Sequence, residues 1–237
     1  MPILHAMRLE KRVFDVLLSA LGLALLWPLL LAIAFLIKLD DRGPVFFRQR
    51  RVGYRGRPFR IWKFRTMVPD AASHNIPLTV GVDPRVTQIG GWLRRLKLDE
   101  LPQLINVLTG DMSFVGPRPE LPCYVAHYSA TERKVLGVMP GITGEASLRY
   151  RDESDVLAQA CDPEQAYVET IMPEKIRLSL AYADRATLWT DFLLITRTVR
   201  ELLLPSRGGQ AETGSGLPDT TLTWSESLPD GSEEKVE

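Results

Sequence analysis

The sequence predicts an α+β protein in which an N-terminal reentrant membrane helix hairpin carries a mostly helical cytoplasmic domain with a small basic β-hairpin. Three observations predict this class. One uncharged apolar run is long enough to enter a bilayer, the cationic segment after it alternates like two strands, and later apolar residues recur at helical spacing. The 237 residues leave room for one sizeable domain with extensions. We divide the chain into the hairpin (1–40), the domain (41–205) and a tail (206–237).

The apolar run covers Val16 to Ile37, 22 residues without a charged side chain. A straight helix of that length rises about 33 Å, enough to cross a hydrocarbon core of about 30 Å. However, Pro28 lies near the middle and predicts a break in the helix. Both flanks are basic, and positive charge stays on the cytoplasmic side, so both ends are expected there. A helix that enters one leaflet, breaks and returns satisfies both facts. A kinked spanning helix is the alternative.

The segment that follows is strongly cationic. Residues 42–69 hold nine basic and no acidic residues: Arg42, Arg48, Arg50, Arg51, Arg55, Arg57, Arg60, Lys63 and Arg65. Residues 45–47 and 59–64 alternate like strands around a glycine-containing turn, which predicts a β-hairpin. A cationic, aromatic ribbon beside a membrane anchor suits anionic lipid headgroups. Nucleic acid is the rival partner, and we expect none, because lipid charge is a sufficient cause for basic residues at this position.

Two adjacent carboxylates, Asp99 and Glu100, lie at the predicted start of a helix, just after Arg94. An isolated pair of this kind most simply caps the helix. Among cations at a helix N-terminus, the pair can instead bind a metal, hold a phosphate or supply a nucleophile. Downstream, prolines on both sides of Arg118 preset an extended backbone, so its guanidinium is suited to a phosphate or carboxylate. A plain proline-rich turn is the alternative.

The C-terminal part of the chain is less informative about chemistry. Residues 163–181 predict two short helices broken at Pro173, and residues 188–204 predict an amphipathic helix. The tail holds seven acidic and two basic residues, which leaves 27 basic and 22 acidic residues before it. Its composition predicts disorder. Cys123 and Cys161 lack metal-ligand spacing, which argues against a disulfide scaffold or a cysteine-histidine metal site.

Five ordered motifs together resemble one known family. They are Lys11-Arg12-x-Phe14-Asp15, Lys63-Phe64-Arg65-Thr66-Met67, Leu98-Asp99-Glu100-Leu101-Pro102-Gln103-Leu104-x-Asn106-Val107, Gly110-Asp111-Met112-Ser113-x-Val115-Gly116-Pro117-Arg118-Pro119 and Pro140-Gly141-Ile142-Thr143-Gly144. In this order they resemble the bacterial sugar transferases, the monotopic phosphoglycosyl transferases that act on polyprenyl phosphate. The resemblance covers about residues 8 to 205 and corresponds to the short form of the family.

The resemblance implies an enzyme, with residues 41–205 as its catalytic domain. The family moves a sugar-1-phosphate from a UDP-sugar donor to the acceptor undecaprenyl phosphate and releases UMP. This is the initiating membrane step of exopolysaccharide, capsule or O-antigen synthesis, at the cytoplasmic face of the bacterial inner membrane. The sugar stays undefined, and so does the oligomeric state, with a homodimer left open. The rival hypothesis is a non-catalytic module that binds anionic lipid through the basic hairpin.

The resemblance also implies residue roles. Asp99 is the expected nucleophile, which forms a covalent phosphosugar intermediate, and Glu100 completes the pair, with Mg²⁺ as cofactor and both carboxylates as its ligands. Phosphate binding is expected from Arg94, Arg118, Arg151, Lys63 and Arg65. The family usually continues Trp-x-Gln-Val-x-Gly-Arg after Gly144, whereas this chain reads Glu145-Ala146-Ser147-Leu148-Arg149-Tyr150-Arg151. Arg149 is therefore the alternative to Arg151.

Overall fold

The structure is a computed structural model that describes residues 9–69, 78, 80–81 and 83–203. Within these ranges the protein is mostly helical and contains two small two-stranded sheets. This confirms the mostly helical domain of the predicted class. The tail predicted to be disordered, residues 206–237, lies outside the described residues, and so do the first eight residues of the chain.

Helix α1 runs from Leu9 to Asp41 without interruption. It continues through Pro28, so the predicted division into two helices is wrong. A proline removes one backbone hydrogen bond and bends a helix, and the long helical segments on both sides here are sufficient to continue it. In the described part of the chain, α1 is the one helix long and apolar enough to cross a membrane. Leu25 and Phe35 are 68% and 63% exposed, as expected for side chains that face lipid.

The cationic segment forms an antiparallel pair of strands, β1 (Phe46–Val52) and β2 (Pro58–Phe64). A short 3₁₀ turn, Tyr54–Gly56, joins them. Alternation divides the basic side chains between the two faces. Arg51 and Lys63 point into the domain and form ion pairs there. Six arginines of the segment are exposed and form no ion pair with a described residue: Arg42, Arg48, Arg50, Arg55, Arg57 and Arg60.

Two helices surround the central carboxylates. Helix α2 (Gln88–Arg95) begins at Thr87, whose hydroxyl accepts a hydrogen bond from the Gly90 amide at 3.0 Å. Helix α3 (Gln103–Thr109) ends at Gly110, whose φ of 93° favours glycine. A 3₁₀ turn, Leu98–Glu100, lies between the two helices and carries both acids.

The rest of the domain consists of short elements. Strands β3 (Ser113–Val115) and β4 (Gly141–Thr143) pair in parallel. The helices are α4 (Pro122–Val125), α5 (Glu145–Arg149), α6 (Glu153–Leu157), α7 (Pro163–Ala166), α8 (Met172–Arg185) and α9 (Leu188–Leu203). A π-helical turn, Tyr167–Ile171, joins α7 to α8. The chain therefore stays helical from Pro163 to Arg185, and the break predicted at Pro173 is wrong. Pro173 lies directly after the π-helical turn, in the first turn of α8.

Both ends of α1 contact the same domain. Near its start, the Arg12 guanidinium donates to the Val107 and Leu108 carbonyls at 2.6 and 2.8 Å, at the end of α3. Lys11 Nζ lies 2.6 Å from Asp191 Oδ2 in α9. Near the other end, Ile33 and Ile37 are buried against Phe64 and Leu93. The N-terminal motif therefore anchors α1 to the domain, and α1 supports the elements that carry the central acids.

Candidate active site

The two central carboxylates are buried although each carries a potential charge. Asp99 is 7% exposed and Glu100 is 9% exposed. The 3₁₀ turn that carries them follows Lys97. The backbone of Lys97 is left-handed, with φ 55°, and turns the chain away from the axis of α2. Leu101 and Pro102 then return to right-handed helical geometry and lead into α3. The acids therefore lie at a sharp change in chain direction, which is stabilised by tertiary contacts.

Glu100 is held by two cations from distant parts of the chain. Lys63 Nζ of β2 lies 2.8 Å from Glu100 Oε1. Arg118, from the loop after β3, donates through Nη2 to Oε1 at 2.5 Å and through Nη1 to Oε2 at 3.1 Å. This two-point contact is the strong form of an arginine–carboxylate pair. The contacts join the basic hairpin, the acidic turn and the proline-flanked loop in one cluster.

Asp99 is bound differently from its neighbour. No hydrogen bond or ion pair joins its side chain to another described residue, and its Oδ1 atom is buried without a partner. The cations whose charges act on it are Lys63, Lys97 and Arg94. Arg94 is held in place by donating from Nε to the Thr66 hydroxyl at 2.8 Å. Asp99 is therefore a buried carboxylate in a cationic setting that no fixed partner neutralises.

These surroundings move the pKa values of the two acids apart. Burial raises the pKa of Asp99 above its usual value, and Glu100 adds to this increase, while Lys63 opposes it. Burial also acts to raise the pKa of Glu100, but Arg118 and Lys63 outweigh it and hold that pKa well below its usual range. Environments that separate two neighbouring carboxyl groups in this way often mark different chemical roles.

Two other predicted phosphate-binding residues lie elsewhere. Arg65 forms an ion pair with Asp41 at the end of α1 and also donates to the Pro44 carbonyl. Its guanidinium is thus already engaged, and the structure gives it a role in fixing α1 to β2. Arg151 Nη1 donates to the Glu201 carbonyl of α9 at 2.5 Å. The alternative, Arg149, is exposed on α5. Among the described residues, none of these three arginines has a hydrogen bond or ion pair to the acids.

Two residues that support the site were missed in the sequence analysis. Asn106 accepts a hydrogen bond from the Trp62 amide at 2.8 Å and donates to the Arg60 carbonyl at 3.0 Å, which fixes the strand that carries Lys63. Glu120 forms an ion pair with Arg51, with 3.4 Å between Oε1 and Nη1, and accepts a hydrogen bond from the Tyr167 hydroxyl. It thereby fixes the loop that carries Arg118. Each lies inside or beside a motif, and that position is the available sequence signal.

The acidic pair also determines what metal could be held here. Within the described ranges, no group of three or more histidine, cysteine, aspartate or glutamate side chains forms a potential metal site. Mg²⁺ usually binds one or two carboxylates together with phosphate oxygens of a substrate. Asp99, which forms no ion pair within the described ranges, fits that requirement directly. Glu100 fits less well, because both of its oxygens accept hydrogen bonds from cations.

Comparison with known proteins identifies the relatives of this chain. The family described as bacterial sugar transferase matches residues 6–205. A UDP-glucose:undecaprenyl-phosphate glucose-1-phosphate transferase of Escherichia coli is 40% identical over 84% of this chain and 41% of its own length. A protein of the same name from Caulobacter vibrioides is 40% identical over 84% of this chain and 71% of its own. The exopolysaccharide production protein ExoY of Rhizobium meliloti is 33% identical, with coverage of 84% and 88%.

The relatives differ in length from this chain. The matching part is less than half of the Escherichia coli relative and of several others, including one from Komagataeibacter xylinus, for which it is 35%. The matched region includes α1, the hairpin and both central acids. The similarity therefore concerns the same elements that form the candidate site.

Proposed function

This chain belongs to the bacterial sugar transferase family, and on that premise we propose that it transfers a sugar-1-phosphate from a UDP-sugar to undecaprenyl phosphate and releases UMP. The observation that carries the proposal is the contrast between the two central acids. Glu100 is neutralised by two cations, whereas Asp99 is buried, has no ion-pair partner in the described part of the chain and has a raised pKa. A desolvated carboxylate of this kind is a stronger nucleophile than a hydrated one.

The reaction has two displacements at one phosphorus atom. An oxygen of Asp99 attacks the phosphorus that carries the sugar, and the bond to the UMP oxygen breaks. An oxygen of undecaprenyl phosphate then attacks the same phosphorus, and the bond to Asp99 breaks. The products are UMP and a polyprenyl diphosphate sugar, and the carboxylate is restored. A covalent aspartyl intermediate would require one carboxylate of the pair to stay free of an ion pair with a protein cation.

The surrounding cations allow two anions to approach each other. Arg118, whose side chain is 34% exposed, can contact a phosphate while it holds Glu100. Lys63 and Arg94 add positive charge on the other sides of Asp99. Mg²⁺, held by Asp99 and phosphate oxygens with Glu100 beside it, would supply further neutralisation of phosphate charge. The residues of the cluster thus orient the donor phosphate and keep Glu100 ionised.

The assay that tests the proposal uses the purified full chain with undecaprenyl phosphate, Mg²⁺ and a panel of UDP-sugars. UDP-glucose and UDP-N-acetylgalactosamine come first, because proteins similar to this chain carry those names. We expect UMP release that depends on the lipid phosphate, and loss of release when Mg²⁺ is chelated. No UMP from any donor would favour the rival function, a non-catalytic module on anionic lipid.

The same proposal places the domain on the cytoplasmic face of the bacterial inner membrane. It requires α1 to bend at Pro28, without a break in the helix, so that α1 enters and leaves one leaflet. Support comes from the basic flanks of α1 and from the contacts of both of its ends with one domain. The exposed arginines of the hairpin would then meet anionic headgroups. A helix that crosses the membrane would separate its two ends by the bilayer.

Cysteine labelling tests this topology. After Cys123→Ser and Cys161→Ser remove the free exposed cysteines, Glu10→Cys and Asp40→Cys each place one thiol at an exposed end of α1. We expect a membrane-impermeant maleimide to label both positions in inside-out membrane vesicles and neither in intact spheroplasts. Labelling of the two positions from opposite sides would contradict the reentrant path. The cysteine-free parent is the control for background labelling.

A further inference from the structure

Gln103 has an unusual environment for a polar residue. It is the first residue of α3 and is 1% exposed, yet its Nε2 group is buried and has no hydrogen-bond partner among the residues that the structure describes. Buried amide donors almost always have a partner, because leaving one unpaired is costly. A long apolar side chain would fill the same space without that cost. We therefore expect this amide to donate a hydrogen bond in the working enzyme.

A matching acceptor lies one turn earlier. Asp99 Oδ1 is also buried and accepts no hydrogen bond from another described residue. The two residues are four positions apart, and Leu101 and Pro102 between them keep right-handed helical geometry. Side chains at this spacing lie on the same side of a helix and can contact each other. One buried donor and one buried acceptor, each without a partner among the described residues, therefore lie four positions apart at the start of α3, the spacing at which helical side chains can contact each other.

We propose that Gln103 is a positioning residue that donates a hydrogen bond from Nε2 to Asp99 Oδ1, directly or through one buried water. The inference rests on the proposed function of Asp99 as the nucleophile. Holding Oδ1 on the inner side leaves Oδ2 as the oxygen that faces the phosphate. The hydrogen bond then limits rotation of the carboxylate and keeps the attacking oxygen aligned through both displacements.

This role differs from that of the cations around the acids. Lys63 and Arg118 contact Glu100 and offer charge to a phosphate, whereas Gln103 is neutral and too buried to contact substrate. Removal of its donor group should therefore slow the chemical step and leave donor affinity nearly unchanged. A residue that only filled space would show the opposite, with loss of stability and no specific change in turnover.

Three substitutions separate these roles. Gln103→Met keeps the length and removes the donor, Gln103→Glu keeps the shape and replaces the donor by an acceptor, and Gln103→Asn keeps the amide on a shorter arm. Leu104→Met is the matched control, a conservative change at the next buried position of α3. The measurements are kcat and KM for UMP release with UDP-glucose or UDP-N-acetylgalactosamine, on full-length protein with a checked thermal midpoint.

We expect Gln103→Met and Gln103→Glu to lower kcat by ~10- to 100-fold, the loss typical of a hydrogen bond to a charged group, and to change KM by less than about 3-fold. Gln103→Asn should recover part of kcat, and Leu104→Met should stay near wild type. A kcat for Gln103→Met within about 2-fold of wild type, or an equal loss in Leu104→Met, would overturn the inference. A wild-type chain that releases no UMP would overturn the proposed function first, and this inference with it.

A second measurement does not depend on turnover or on folding of the variants. A high-resolution experimental structure of the wild-type protein should show Gln103 Nε2 within hydrogen-bond distance of Asp99 Oδ1, or one ordered water that joins them. An amide directed away from Asp99, with no such water, would contradict the proposal even if the enzyme is active.

Discussion

Asp99→Asn is expected to abolish UMP release, with a loss in kcat of at least ~10⁴-fold, while the protein keeps its fold and membrane association. Asparagine has nearly the same shape as aspartate but is not a nucleophile toward phosphorus. Because Asp99 forms no ion pair with a described residue, its replacement leaves no cation without a partner. The variant also removes the cost of a buried charge, so its thermal midpoint should be equal to or above that of wild type.

The covalent intermediate provides a direct readout of the same prediction. Wild-type protein incubated with a UDP-sugar labelled in the sugar, without lipid acceptor, should carry one label per active chain, and Asp99→Asn should carry none. Asp184→Asn is a matched control, a conservative change at an exposed aspartate of α8, outside the site. Full turnover by Asp99→Asn, or label that remains on the variant, would end the assignment of the nucleophile.

Much of the central site was predictable because its reactive residues lie in short motifs that can be recognised from neighbouring residues. Asp99 and Glu100 lie between apolar residues after a cationic run, and Arg118 lies between prolines. The division of labour was not predictable, because it depends on contacts between distant segments. Lys63 and Arg118 reach Glu100 from 37 and 18 positions away, and both leave Asp99 unpaired. No spacing rule states which of two adjacent acids will receive the cations.

The remaining differences also have a long-range cause. The resemblance implies a phosphate-binding role for Arg65, and the structure adds a contact that the sequence did not predict, with Asp41 at the end of α1, 24 positions earlier. That contact depends on how α1 packs along the domain. The break predicted at Pro28 failed for a related reason. Local rules give the cost of a proline in a helix but take no account of tertiary contacts, and α1 has buried residues on both sides of Pro28, such as Ser19 and Ile33.

Glu100→Gln should have the opposite effect on stability from Asp99→Asn, although the residues are adjacent and the changes are alike. The substitution removes the charge that neutralises Lys63 and Arg118, and leaves those cations without a counterion in a largely buried cluster. Breaking a buried ion pair from one side costs about 3–5 kcal/mol in free energy of unfolding. Arg118 is 34% exposed, so water offsets part of this, and we expect the lower end of that range.

Chemical denaturation in detergent, or a shift in thermal midpoint, measures the difference between the two variants. Lys63→Met in the Glu100→Gln background removes one of the stranded cations and should recover part of the lost stability, so that the double variant is more stable than the sum of single effects predicts. Equal stability of Glu100→Gln and Asp99→Asn would contradict the unequal pairing of the two acids. Since that pairing is what leaves Asp99 free to react, the same result would also remove the structural basis for its role as nucleophile.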